Sequence, residues 1–262
     1  MKTLIKRSLL SLSFLTLLTI SAERIDTCEI VQASQEGFLT LVQELIEEHS
    51  ISVNTRDDHG FSPLLAAAKH GQVLVVQFLL EKGAHVNARD NNGMTALMWA
   101  IWNKHTDIAQ LLMEHKTNVN IQGDDGLTSL MLAAWNGDDA TTRTILTRKA
   151  SVNLQNDAGL TALMAAAQQG FLNIVKELVA AGADASISDL DGKTALSVAR
   201  EEGHLTIAQY LAEYESQPAM ASAGARSDLT TAQDFSKGTG VGQVEPSTFM
   251  LLCNWYNKQK SE

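Results

Sequence analysis

One glycine recurs every 33 residues through the middle of the chain, and this period limits what the chain can fold into. A hydroxyl residue follows each glycine by two positions, a leucine by four and an alanine by seven. The glycines are Gly60, Gly93, Gly126, Gly159 and Gly192, with no insertion between copies. A fixed period of this length predicts small units stacked side by side rather than one globular core. Such a stack offers an extended surface, so the period favours binding over catalysis.

Each period has the pattern of a turn followed by two short helices. In the second copy, Gly93 suits a turn that needs a positive φ, and Thr95 is placed to cap the first helix. Ala100 keeps that helix thin, so that neighbouring helices can approach closely. Ile108 and Leu112 lie four residues apart and predict the apolar face of a second helix. One such unit cannot bury its apolar face alone, and it is therefore expected to stack on its neighbours.

The five copies resemble the ankyrin repeat, a 33-residue unit whose first helix begins with the motif T-P-L-H-x-A. The matching tetrads are Ser62-Pro63-Leu64-Leu65, Thr95-Ala96-Leu97-Met98, Thr128-Ser129-Leu130-Met131, Thr161-Ala162-Leu163-Met164 and Thr194-Ala195-Leu196-Ser197. The histidine of the family motif is absent from all five, which predicts loss of its side-chain hydrogen bonds, although Met fills such a site well. The resemblance implies an all-α solenoid of helix-turn-helix units with β-turn fingers, about six repeats including degenerate caps.

The resemblance also sets the expected domain boundaries. Residues 23–57 are predicted to form a degenerate N-terminal capping unit, and residues 58–214 five repeats. The third repeat carries Thr141, Thr142 and Thr144 where the other copies have apolar residues. Its second helix is therefore expected to pack least well and to open first, and apolar replacements there are expected to stabilise the stack.

Residues 1–22 have the features of a secretory signal peptide. The basic head consists of Lys2, Lys6 and Arg7. An uncharged stretch of 13 residues follows from Ser8 to Ile20, which is too short to span a bilayer. Ala22 is a suitable residue to precede the cleavage site, and the alternative interpretation is an uncleaved membrane anchor. We expect a periplasmic or secreted protein without a stable membrane span after cleavage.

The composition changes again in residues 215–262. Ser, Ala, Gly, Thr and Gln predominate up to about Val244, which predicts a flexible linker, and residues 246–256 form an apolar cluster. This cluster either docks on the repeats or binds a partner. Cys28 and Cys253 are the only cysteines, so a disulfide between them, two free thiols and a disulfide between chains all remain open.

Charge and motifs argue against several functional classes. The formal charge is −10, and loss of the three basic residues in the first 22 would make it −13. An acidic chain of this kind repels nucleic acid and anionic membranes. The seven histidines lack the spacing of a metal motif, and no phosphate-binding loop or nucleophile motif is present. We therefore expect a monomer that is not an enzyme and has no cofactor and no metal site.

The candidate partner-binding residues lie at two positions of the repeat. Phe61, Met94, Leu127 and Leu160 directly follow the repeat glycine, and Trp102 and Trp135 lie at the thirteenth position of the family unit. These residues are expected to form one apolar strip on the concave side, bordered by aspartates and suited to a partner with apolar anchors among basic residues. The alternative is that the tryptophans only cover the stack. The predicted function is an exported scaffold that binds a protein partner; the alternative is a secreted bacterial effector that binds a host protein.

Overall fold

The computed structural model describes residues 22–216 of the chain, with side chains from residue 28 onward. Twelve helices and no strand occur in this range. The helices are α1 (Ala22–Glu36), α2 (Leu39–Glu47), α3 (Pro63–Lys69), α4 (Val73–Glu81), α5 (Ala96–Trp102), α6 (Thr106–Met113), α7 (Ser129–Asn136), α8 (Asp139–Thr147), α9 (Ala162–Gln169), α10 (Leu172–Ala180), α11 (Ala195–Glu201) and α12 (Leu205–Glu215). Isolated antiparallel bridges such as that between Ser188 and Thr194 close the turn fingers.

The described residues fall into two compact units, divided between Asn118 and Val119. In the first unit α1, α3 and α5 stack in that order, and α2, α4 and α6 pack alongside in the same order. In the second unit α7, α9 and α11 stack, flanked by α8, α10 and α12. Each unit therefore consists of three helix pairs, and the predicted all-α repeat solenoid is confirmed as the fold class.

The repeat motif forms the local structure that its residues predict. The hydroxyls of Ser62, Thr95, Thr128, Thr161 and Thr194 each accept a hydrogen bond from the backbone N–H three residues later. The five motif glycines have φ between 74° and 79°. The alanines seven residues later (Ala67, Ala100, Ala133, Ala166 and Ala199) are 0% exposed. Small buried side chains at this position allow the first helices within each unit to stack closely.

The loss of the family histidine is only partly a loss of hydrogen bonds. In the second repeat the Sδ of Met98 accepts a long, 3.5 Å hydrogen bond from the backbone N–H of Thr95. In the fifth repeat the Oγ of Ser197 accepts from the N–H of Thr194 at 2.9 Å and donates to its carbonyl at 2.9 Å. The expected loss is therefore wrong for these two repeats, because the replacement side chains reach the same backbone groups.

Asparagine side chains join successive repeats within each unit. In the second unit the Oδ1 of Asn153 accepts from the N–H of Asp184 at 2.8 Å, and its Nδ2 donates to the carbonyl of Gly182 at 3.2 Å. In the first unit Asn87 makes the same kind of contact with the N–H of Asn118 at 2.9 Å. Ser186 occupies the equivalent position at the end of the fourth repeat, ahead of the fifth repeat with α11 and α12.

The second helix of the third repeat, α8, is better packed than the sequence suggests. Thr141 and Thr142 are both 0% exposed. The hydroxyl of Thr141 donates to the Oδ2 of Asp138 at 2.7 Å, and that of Thr144 donates to the carbonyl of Ala140 at 2.9 Å. The hydroxyl of Thr142 is buried without a partner. Two of the three hydroxyls therefore have partners in the helix or at its N-cap and only that of Thr142 lacks one, while the expectation that α8 opens first stays a prediction.

Several predictions concern the chain outside the described residues. The signal peptide and the tail beyond residue 216 lie there, as does Cys253. Cys28 lies exposed on α1. The three alternatives for Cys28 and Cys253, a disulfide between them, two free thiols or a disulfide between chains, therefore stay open.

Candidate partner-binding surface

An aromatic pair with a lysine over it lies at the turn and first-helix positions of the first unit. The rings of Phe61 and Trp99 are tilted by 40° with centroids 5.7 Å apart. The Nζ of Lys69 lies 5.0 Å from the centroid of Phe61 and 4.5 Å from that of Trp99. Both distances are within the range of cation–π attraction, so the ammonium is held above two ring faces. We call these three residues the aromatic–lysine cluster.

Trp99 is fixed from below by its own turn. Its indole Nε1 donates to the Oδ2 of Asp90 at 2.8 Å, and the indole is 3% exposed. The Oδ1 of the same carboxylate accepts from the backbone N–H groups of Asn92 and Met94, each at 2.9 Å. The carboxylate therefore joins the turn to the helix, and the ring below Lys69 has little freedom to move.

The ammonium of Lys69 is in an unusual electrostatic position. Burial lowers the pKa of Lys69 from its ordinary value, while the carboxylates of Asp90 and Asp57 act in the opposite direction. Within residues 28–216 the structure gives this ammonium ring contacts but no hydrogen bond or ion pair. Three N–H donors are consequently left to water or to a binding partner.

The six predicted partner-binding residues differ in exposure. In the first unit Phe61 and Trp102 are partly exposed, whereas Met94 is 7% exposed. In the second unit Leu160 and Trp135 are partly exposed, whereas Leu127 is 7% exposed. Met94 and Leu127 therefore contribute to the packing of their turns rather than to an open apolar strip. The role of the six residues in binding a partner stays a prediction.

Trp99 is not among the residues that the sequence predicts for the partner-binding surface, although the repeat pattern contains one signal for it. The same position of the other four repeats carries Ala66, Leu132, Ala165 and Val198. A lone aromatic residue at an aliphatic position of a strict repeat indicates a local contact that the other copies lack. Phe61 supplies that contact, because it is the only phenylalanine that directly follows a repeat glycine.

The remaining chemistry of the described residues is sparse. In residues 28–216, no group of three or more His, Cys, Asp or Glu side chains is placed to hold a metal ion. No helix within the described part of the chain has the length and apolar character required to cross a membrane.

Comparison with known proteins agrees with the repeat architecture. The family described as "Ankyrin repeats (3 copies)" matches residues 30–123 and again residues 130–221. Among curated proteins, no significant match to the chain was found.

Two solved structures are similar over most of the described residues. One is a chain in the structure of the Bd0816 predatory endopeptidase from Bdellovibrio bacteriovorus in complex with immunity protein Bd3460. That chain is 35% identical to this one, with a TM-score of 0.64, and the match covers 70% of this chain and 96% of that chain. The other is an ankyrin repeat domain from Acinetobacter baumannii AYE, 28% identical with a TM-score of 0.65, covering 71% of this chain and 97% of that chain. The chain belongs to the ankyrin repeat family, whose members are typically non-enzymatic protein-interaction modules.

Proposed function

We propose that this chain is an exported ankyrin repeat module that holds a protein partner against the turn tips and first helices of its repeats. The observation that carries the proposal is the aromatic–lysine cluster, since it presents a half-buried cation and a partly exposed ring on a rigid support. Trp102 at the end of α5 and Trp135 near the end of α7 add partly exposed indoles, each in its own unit. Aromatic side chains held rigidly at a surface are common anchors of protein interfaces.

The similar solved structures support a folded protein as the partner. One of them contains a complex between an endopeptidase and an immunity protein, at 35% identity to this chain over 96% of the matched chain. We infer that an exported enzyme, such as a peptidase, is a suitable class of partner for this chain. It would act by occupying a surface of that enzyme rather than by chemistry of its own.

Export rests on the first 22 residues alone. Intact-mass analysis of the protein from its native host should show a chain that begins close to Glu23. Fractionation then distinguishes the periplasmic scaffold from the alternative, an effector released from the cell to bind a host protein. A full-length cytosolic product would contradict both.

Site-specific photo-crosslinking in the native host tests where a partner binds. A photo-reactive residue is placed at Asn103 or Gln169, which lie at first-helix ends in the two units. Matched controls carry it at Gln77 on α4 and Asn173 on α10, both exposed positions on second helices. The proposal expects one protein to be crosslinked from the first-helix positions and not from the controls. Crosslinks from the second helices only, or from neither set, would contradict it.

A further inference from the structure

Four basic or titratable residues meet at the C-terminal ends of α3 and α5 in the first unit. Lys69 is the last residue of α3 and His70 its C-cap, and Lys104 and His105 directly follow the C-cap of α5. The Nε2 of His105 lies 3.3 Å from the carbonyl oxygen of Lys69, which joins the two helix ends. We call these four residues the basic spot.

The two lysines of the basic spot, Lys69 and Lys104, have no counterpart in the second unit. The corresponding first-helix ends of the second unit carry Asn136, Gln168, Gln169, Glu201 and Glu202 in place of Lys69 or His70. Arg200 lies in the last turn of α11, and His204 takes the place of His105, with its Nε2 3.0 Å from the carbonyl oxygen of Gln168. The formal charge of −10 counts histidines as neutral, so the cations of the basic spot are Lys69 and Lys104. Because the two units share one repeat pattern, the fold does not require these two lysines.

Within the basic spot, burial and the charge of Lys69 disfavour the protonated form of His70. Burial lowers the pKa of His70, and the positive charges of Lys69 and His105 lower it further, against a hydrogen bond to the carbonyl of Ala66. The exposed ammonium of Lys104 follows at a backbone φ of 62°, and no hydrogen bond or ion pair of its side chain occurs within the described residues. An anion placed at the basic spot would therefore accept hydrogen bonds from ammonium donors that the described residues leave open.

Acidic residues of the same unit border the basic spot but do not occupy it. Asp57 and Asp90 use their Oδ1 atoms to accept from backbone N–H groups of their own turns. Glu36 ends α1, and its Oε1 accepts from the amide of Gln32. The negative charges of Asp90 and Asp57 favour the protonated form of Lys69 in the folded protein. The N–H donors of its ammonium remain available to a further acceptor.

We propose that the basic spot binds an aspartate or glutamate side chain of the protein partner, with an apolar residue next to that side chain packed on Phe61. The carboxylate accepts hydrogen bonds from the Nζ of Lys69 and is attracted by the charge of Lys104. The ring of Phe61 is partly exposed beside Lys69, so an acidic and an apolar side chain of the partner can be bound next to each other. This inference rests on the proposed function and names the chemistry of the partner at one place.

The experiment uses the full mature chain labelled with ¹⁵N and two synthetic probes. The first probe is an acetylated, amidated octapeptide of alternating Leu and Glu, and the second replaces each Glu by Gln. We expect the Glu peptide to shift the amide resonances of Phe61, Lys69, His70 and Lys104, and the Gln peptide to bind at least tenfold more weakly. Equal binding of the two probes, no binding of either, or shifts confined to the second unit would overturn the inference.

Charge-removing variants localise the effect. Lys69→Gln and Lys104→Gln should each weaken binding of the Glu peptide several-fold. Lys176→Gln, which removes a cation 5.7 Å from the ring of Tyr210 in the second unit, should leave the binding unchanged. Because Lys69 also covers two rings, thermal unfolding of that variant is measured in parallel, and Lys104→Gln provides a test at an exposed position. Unchanged affinity in the Lys104→Gln variant would overturn the inference even if Lys69→Gln unfolds the chain.

The native partner separates the inference from the function on which it rests. If a protein crosslinks at Asn103 and its affinity is insensitive to Lys69→Gln and Lys104→Gln, the inference fails while the function stands. If no protein crosslinks from either first-helix position, the proposed function itself fails.

Discussion

The indole of Trp99 donates a 2.8 Å hydrogen bond to the carboxylate of Asp90, nine residues earlier in the second repeat. This contact joins the turn that precedes α5 to the helix itself and lies below the ammonium of Lys69. Asp90 is 6% exposed and Trp99 3% exposed, so water cannot readily replace either partner. The contact therefore stabilises the first unit and also positions the aromatic–lysine cluster.

Replacing Trp99 by Phe tests how much this hydrogen bond contributes to the free energy of unfolding. The Oδ2 of Asp90 would lose its buried donor, and a hydrogen bond to a charged group is worth about 1.5–3 kcal/mol. We expect a loss of that size in the free energy of unfolding, measured by urea titration. In a double-mutant cycle with Asp90→Ala, the two changes should show strong coupling. Additive effects would mean that the two side chains do not stabilise each other.

Thr142 offers the clearest stabilising change in the described residues. Its hydroxyl is buried without a partner, so Thr142→Val removes an unsatisfied polar group at nearly constant volume and should raise the free energy of unfolding by about 1 kcal/mol. Thr141→Val is the matched control, because it breaks a 2.7 Å hydrogen bond to Asp138 and should lower stability by about the same amount. Chemical denaturation measures both, and the opposite pair of signs would contradict the packing described for α8. Hydrogen exchange over residues 138–149 should remain faster than over residues 73–80.

Lys149 has a left-handed backbone conformation, with φ of 59°, where the next repeat has Gly182 with φ of 92°. A left-handed conformation costs a residue with a Cβ about 1–2 kcal/mol, and the greater chain entropy of glycine offsets about 0.5–1 kcal/mol of that. Lys149→Gly should therefore be about 0.5–1 kcal/mol more stable than Lys149→Ala, both variants having lost the same charge. Thermal unfolding of the pair provides the measurement, and an alanine variant as stable as the glycine variant would show that the strain is absent.

Asp125 should make stability depend on pH in the acid range. Burial is the largest effect on this carboxyl and raises its pKa above the ordinary value of 3.8, with Asp157 and Asp124 adding to the shift. A carboxyl with a raised folded-state pKa binds more protons in the folded chain, so stability falls as pH rises from 3.8 through that pKa. Asp125→Asn should consequently be more stable than wild type at pH 7, and the difference should disappear below the ordinary pKa. Urea titrations at the two pH values measure this, and a difference that is constant with pH would contradict burial of the charged carboxylate as the cause.

The sequence predicts the fold well because the residue types that determine the turn and the helix cap recur at the same positions of every repeat. The caps at Thr95 and Thr161, the positive φ of Gly126 and the buried Ala133 all follow from residue types at fixed positions. The period does not reveal contacts that occur once. The pair of Phe61 and Trp99 lies 38 positions apart, and it depends on one substitution in each of two neighbouring repeats.

Exposure is also difficult to read from the period alone. Met94 and Phe61 occupy the same repeat position, yet the first is buried and the second partly exposed. The hydroxyls of Thr141 and Thr142 differ in the same way, because one of them finds Asp138 within reach and the other does not. Neighbouring side chains decide such cases, and their positions follow only from the folded chain.

The affinity for the native partner after removal of one indole tests the central claim most directly. Truncating a central aromatic anchor costs about 2 kcal/mol or more, which is about a 30-fold rise in Kd. Trp102→Ala and Trp135→Ala should each show at least this rise while keeping the far-ultraviolet circular dichroism and the Tm of the wild type. If both variants fold and bind the partner with unchanged Kd, the tryptophans are not the anchors. If both variants unfold, the tryptophans belong to the packing of the stack, and the partner is not held on the first-helix surface through them.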